Sequence, residues 1–225
     1  MHRRTLLRSV GAVGATGGIA GCLGSLGIGD SNTDVVLGEP DRQFDSSDVP
    51  YPAWGQRIPD VTLPAPVESR EVNLRDVERA SLLTFFYSHC NTVCPVLIST
   101  QRNVQAHAQN NGYASDVAFF PVTFDPARDT ADRLQTYADE MNVDAAAENW
   151  HFLRPASADR AKDVVQDQFG VGFERTDPEE MDMYMFAHSA LTLLVNADGF
   201  VERAYRSKSP DEETIIDGLE TVRNA

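Results

Sequence analysis

The stretch Ser81–Tyr87 carries Leu82, Leu83, Phe85 and Phe86 with no polar alternation, and it runs almost directly into Cys90, Cys94 and Pro95. An apolar run of this length fits a central strand covered on both faces. Pro95 suits the first position of a helix, which the pattern carries to about Asn110 and stops at Gly112. A buried strand that delivers two thiols to the start of a helix therefore sets the centre of the fold.

Around it, strands and helices alternate. Asp60–Leu63 and Glu71–Leu74 read as short strands; Val117–Phe124 reads as a second buried strand in which Pro121 marks a bulge or an edge. Asp129 reads as the cap of a helix with Leu134, Tyr137, Ala138 and Met141 on one face. Trp150–Leu153 reads as a short strand, and Ser157 opens a helix that buries Ala161, Val164, Val165 and Phe169. Ala190–Val195 and Phe200–Ala204 flank the hairpin turn Asn196-Ala197-Asp198-Gly199. Ser209, Pro210 and Glu212 form a capping box for a last helix that buries Ile215, Ile216, Leu219 and Val222. The order β-α-β-α-β-α-β-β-α predicts an α/β fold, a mixed central sheet with helices on both faces. A central strand running into a helix that opens with a Cys pair is the layout of thioredoxin-like folds.

Residues 1–21 read as an export signal. Arg3, Arg4 and Arg8 accompany a Gly/Ala/Val stretch, Ser9 to Ala20, that is too short and Gly-rich to span a bilayer. Arg3-Arg4 followed by Thr5-Leu6-Leu7-Arg8 resembles a twin-arginine signal. Ile19-Ala20-Gly21-Cys22 resembles a lipobox, which makes Cys22 the lipidated mature N-terminus; an ordinary cleaved signal with an incidental Cys is the alternative. Residues 22–49, rich in Gly, Ser and Asp, read as a flexible tether, and 50–225 as the folded domain. The expected location is the extracytoplasmic side of the cell membrane, held by acyl chains.

The chain has 34 acidic against 19 basic side chains in 225 residues, a formal net charge of −15, and only Lys162 and Lys208 are lysines. Removal of residues 1–21 takes three Arg and leaves −18. This balance argues against a nucleic-acid binder, which neutralises phosphates with clustered Lys and Arg. The Asp-rich, Lys-poor set resembles that of proteins from salt-loving microbes. There a Debye length of about 3 Å or less screens self-repulsion. The melting temperature is accordingly expected to rise between dilute buffer and molar KCl, and equal stability in both would remove the halophilic reading.

The chemistry converges on the cysteines. The positive end of a helix and its unpaired N–H groups lower thiol pKa and populate thiolate, the form that attacks disulfides and binds soft metals. Three residues separate the pair, against two in a thioredoxin-type redox motif. On a regular helix, positions i and i+4 differ by about 40°, so both sulfurs can meet one ion. A bridge closing so short a loop removes little chain entropy, which weighs against a purely stabilising disulfide. Among the histidines, His2 lies in the signal, His107 reads as a surface residue and His151 as structural. His89 should point away from the Cys90 side chain along an extended backbone. His188 follows Met181–Ala187 and precedes the Ala190 strand, in a loop that faces the Cys-bearing loop in a thioredoxin-like sheet. It reads either as a hydrogen-bonded loop residue or as a third ligand. Two thiolates and one imidazole suit copper: Cu(I) through its softness, Cu(II) with a further weak ligand.

The order Cys90-x3-Cys94-Pro95, Phe124-Asp125-Pro126-Ala127-Arg128-Asp129-Thr130, Trp150-His151-Phe152-Leu153, His188-Ser189 and Asn196-Ala197-Asp198-Gly199 resembles the Sco/SenC family, from roughly Ile58 to the C-terminus. The resemblance implies a membrane-tethered, thioredoxin-like protein that binds copper through Cys90, Cys94 and His188. It also implies a part in assembling the dinuclear copper A centre of cytochrome c oxidase, by delivering copper to that subunit or by reducing its cysteines. That role is a metallochaperone's more than an enzyme's. Two positions depart from the family: Asn91-Thr92 replaces the usual Pro-Asp, and Ala187 replaces a common acidic residue before the His. Both changes remove support around the metal without removing a ligand. Asp125 and Asp129 read as turn and helix-cap residues with no role in the site. Two other readings stay open: a thiol-disulfide oxidoreductase with Cys90 and Cys94 as its redox-active dithiol, and a tethered module whose Cys pair is an inert bridge.

Overall fold

Alternation of strand and helix is borne out in a computed structural model that describes residues 32–179 and 183–225; the export signal, the lipobox and Cys22 lie outside the described residues. Two short strands, β1 (Thr62–Ala65) and β2 (Arg70–Asn73), pair antiparallel ahead of the main sheet. The apolar run forms β3 (Ala80–Phe86), with every residue buried, and leads into α1 (Val93–Asn110). Then come β4 (Val117–Thr123), α2 (Ala131–Glu140) and α3 (Ala158–Ala161), the last continuing as a π-helix over Lys162–Gln168. The chain closes with β5 (Phe173–Thr176), β6 (Met185–His188), β7 (Thr192–Val195), β8 (Val201–Tyr205) and α4 (Glu212–Arg223).

The main sheet has the order β4-β3-β7-β8, with β3 parallel to β4 and antiparallel to β7. Neighbouring strand residues face opposite sides. Phe86 stacks on Tyr137 of α2 at 5.6 Å, whereas Phe85 meets Phe169, just past the α3 segment, at 5.1 Å. Helical elements therefore cover both faces, as expected, and α1 packs against α4. Among the described residues, no helix is long and apolar enough to cross a membrane.

Pro121 explains why Trp150–Leu153, expected as a strand, makes only two isolated bridges to β4, at Phe119↔Trp150 and Val122↔Leu153. Phe119 N–H donates to Asn149 O and Thr123 N–H to Leu153 O, so the donor that should face this segment between them is the one proline lacks. The edge position expected from that proline is present, since β4 ends the four-stranded sheet.

Three helix starts differ from expectation. α1 begins at Val93, which makes Pro95 its third residue; the N–H there has no intrahelical partner anyway. α2 is capped by Thr130, whose side chain accepts from Arg133 N–H, and not by Asp129. α4 is capped by Asp211 rather than by the Ser209 box.

Part of the segment expected to be a flexible tether is tied down. Glu202 on β8 is fully buried and needs donors for its carboxylate. Val36 N–H (3.0 Å), Leu37 N–H (2.9 Å) and the Asn196 amide (2.8 Å) supply them. Asn196 also donates to Asp34 O, and the Trp54 indole donates to Leu37 O at 2.7 Å.

Candidate metal centre

At the end of β3 the chain turns sharply: Cys90 N–H donates to Tyr87 O at 3.2 Å, closing a turn through Ser88 and His89. Cys90 therefore lies in a loop before α1, and helical spacing is not what brings the two thiols together. Cys94 occupies the second position of α1, where backbone N–H groups lack intrahelical partners. From the other side, β6 ends at His188, held by its register opposite Phe173 of β5. The ligand atoms of Cys90, Cys94 and His188 all lie within 4.8 Å of one another. Both thiols are free and buried, Cys94 completely.

The imidazole is oriented for ligation. His188 Nδ1 lies 3.1 Å from Ser189 O, a contact in which the nitrogen donates, so Nε2 carries the lone pair. Nε2 is 3.3 Å from Cys94 Sγ. Phe124 at 5.1 Å and Tyr87 at 6.0 Å pack their rings against the imidazole.

The two thiols differ in character. The Cys94 thiol, together with the Thr92 hydroxyl 3.4 Å away and Cys94 N–H, stabilises charge on Cys90 and holds it well below the usual thiol range despite its burial. Burial, followed by the neighbouring Cys90 charge, pushes Cys94 up. Charge is thus favoured on Cys90 over Cys94, and a soft cation held by both sulfurs would displace their protons. Thr92 itself supplies a hydroxyl to Cys90. Ala187 is exposed and supplies nothing comparable.

The other histidines lie elsewhere. His151 is buried between Glu68 (3.1 Å) and Arg70 (2.9 Å), the structural setting expected of it. His107 is half-buried rather than on the surface and contacts the Tyr113 hydroxyl at 2.6 Å. His89 turns from the thiols toward Asp129, at 3.7 Å. His89, Asp125 and Asp129 form a second convergent group. Its carboxylates are already engaged by Arg128, Ser88 and Thr123, and the adjacent guanidinium disfavours a cation. Asp129, expected as a helix cap, is instead fully buried, with its carboxyl raised by burial against the donors around it.

An open cleft of about 580 Å³ reaches His188, lined by Thr92, Val93, Val96, Phe186, Ala187 and Lys208. A ligand or partner could approach the site through it.

A SCO1/SenC family model matches residues 68–224. The SCO1 protein homolog of Bacillus subtilis is 23% identical over 138 residues, covering 60% of this chain and 67% of its own length. Among solved structures, Arabidopsis thaliana ScoI with copper bound matches with a TM-score of 0.58 at 22% identity, covering 71% of this chain and 94% of that one. A SCO1/SenC family lipoprotein from Bacillus anthracis matches with a TM-score of 0.61 at 21% identity, covering 76% and 95%. The structural matches are likenesses of fold.

Proposed function

The chain belongs to the SCO1/SenC family, and from that premise we propose that it binds one copper ion through Cys90, Cys94 and His188 and serves the assembly of the copper A site of cytochrome c oxidase. The observation that carries the reading is the convergence of two free buried thiols on an imidazole whose Nε2 is left open. The donor set is soft, three-coordinate and sheltered, which suits copper. Copper is the cargo, handed on to the oxidase subunit. Cys22 lipidation would hold the domain at the extracytoplasmic face of the membrane, a reading supported by the likeness to a lipoprotein of the same family. Its acidity suits a salt-rich setting.

The asymmetry of the thiols favours a second reading, thiol-disulfide exchange. The Cys90 thiolate would attack a target disulfide, and Cys94 would then resolve the mixed disulfide. Cys90 and Cys94 join as the target disulfide gains two electrons, one proton coming from the Cys94 thiol and the other from solvent. Oxidised in this way, the pair no longer offers two thiolates, so the two roles alternate on one site.

The deciding experiment is copper stoichiometry of the reduced protein beside His188→Ala. One equivalent per chain, loosened in His188→Ala, is the expected result. No copper on a parent with titrated free thiols would leave thiol exchange as the function. Rapid exchange that ignores His188→Ala would identify it.

A further inference from the structure

Five side chains join the two halves of the site through one continuous path of hydrogen bonds, and neither end of that path is a metal ligand. It starts at Ser88, two residues before Cys90. Asp129 accepts from Ser88 N–H at 3.1 Å and from its hydroxyl at 2.5 Å. Arg133 donates to Ser88 O and to its hydroxyl oxygen, both at 2.9 Å, so each polar atom of Ser88 is held. Asp129 also accepts from the Thr123 hydroxyl, whose oxygen in turn accepts Asp125 N–H at 3.0 Å. The Asp125 carboxylate then accepts the Tyr184 hydroxyl at 2.8 Å and Arg128 Nε at 2.5 Å. Arg128 also donates to Tyr184 O at 2.8 Å, and its guanidinium lies over the Tyr184 ring at 3.6 Å. Arg175 covers the ring at 4.0 Å. Tyr184 immediately precedes β6, four residues before His188.

We propose that the Thr123–Asp129 turn is a clamp whose two carboxylates set the spacing of the site, Asp129 fixing the thiol loop through Ser88 and Asp125 fixing the His188 hairpin through Tyr184. The inference rests on reading Cys90, Cys94 and His188 as the copper site. The physical case lies in what else holds the hairpin. β5 and β6 are four residues each, none of them buried, and among the described residues they pair with each other alone. A two-stranded ribbon of that size is marginal alone. Besides the Phe124 packing, Phe186 N–H reaches the Tyr87 hydroxyl at 3.2 Å. The Asp125–Tyr184–Arg128 group adds polar fixation at the start of β6. Asp129 and Asp125 are buried almost completely, so their oxygens point inward to these partners rather than to water. They are positioning residues and do not contact the metal-binding atoms.

The test uses Tyr184→Phe, which removes one hydroxyl and keeps the stacked ring, beside Asp129→Asn. Copper affinity is read by competition with a chelator, and backbone hydrogen exchange of residues 185–187 is read in the metal-free protein. Each variant is expected to keep one copper per chain and bind it about 10–100-fold more weakly, as is usual when outer partners of ligands are lost. Tyr184→Phe should also speed metal-free exchange at 185–187, whereas Asp129→Asn should not. The double variant should lose less than the product of the singles, because both cut one path. Parental copper affinity and parental exchange in Tyr184→Phe overturn the clamp, whatever Asp129→Asn does to folding. A parent that binds no copper overturns the copper reading alone, and the exchange arm still decides the clamp.

Discussion

Cys94→Ser is expected to abolish the copper-dependent rise in melting temperature that the parent shows. Any ligand that binds the folded state alone stabilises it, by about 4 kcal/mol at a free concentration one thousand times its Kd. For a domain of this size each kcal/mol moves the melting temperature by about 2–4 °C. The parent should therefore melt roughly 8–16 °C higher with copper at that excess. Cys94 is completely buried and lies 3.3 Å from His188 Nε2, so a serine there leaves one thiolate and a hard oxygen facing a soft ion. His188→Ala leaves both thiolates and should keep part of the rise. Oxidising the parent to the Cys90–Cys94 disulfide should erase the rise as completely as the substitution does. A parent whose melting temperature ignores copper, with both thiols reduced, would contradict the site assignment. A variant that keeps the full rise would move Cys94 out of the ligand set.

How far the sequence reaches is seen by comparing β3 with β6. The run Leu82 to Phe86 is buried on both sides, and its uninterrupted apolarity says so without any partner being known. β5 and β6 carry Phe-Glu-Arg-Thr and Met-Phe-Ala-His, too short to show a two-residue period, so the sequence places His188 in a pre-strand loop, hydrogen-bonded or ligating, and not at the end of a strand. Its proximity to the thiols follows from sheet order, not from local pattern. The caps tell a related story. Asp129 and Thr130 are both competent cap residues in adjacent positions, and Ser209 and Asp211 are nearly so. Which one caps depends on where the other is drawn. Asp129 is drawn inward by Ser88, 41 positions away, and by Thr123, contacts that no helical signal encodes. The acidic pair dismissed from the site by local reasoning is thus joined to it through tertiary hydrogen bonds.

Phe124→Ala is expected to damage both stability and copper binding, whereas Phe119→Ala should damage stability alone. Phe124 ends the path of β4 toward the metal centre and is buried. Its ring stacks on Phe173 of β5 at 4.8 Å, meets Phe186 of β6 edge-on at 5.5 Å, and lies 5.4 Å from Tyr87 and 5.1 Å from His188. One side chain therefore joins the apolar face of the β5–β6 ribbon to the strand end beside the thiols. Truncating a buried phenylalanine costs about 3–5 kcal/mol, which here lowers the melting temperature by on the order of 10 °C. Phe119, at the other end of β4, is equally buried and stacks on Trp150 at 5.5 Å, so its loss carries a similar cost far from the site. Affinity measured well below both melting temperatures separates seat from scaffold. If Phe124→Ala binds copper as tightly as Phe119→Ala, the imidazole is held by Ser189 and the polar clamp without help from the aromatic seat. If only Phe124→Ala loses affinity, the packing that completes the core is also what aims the third ligand.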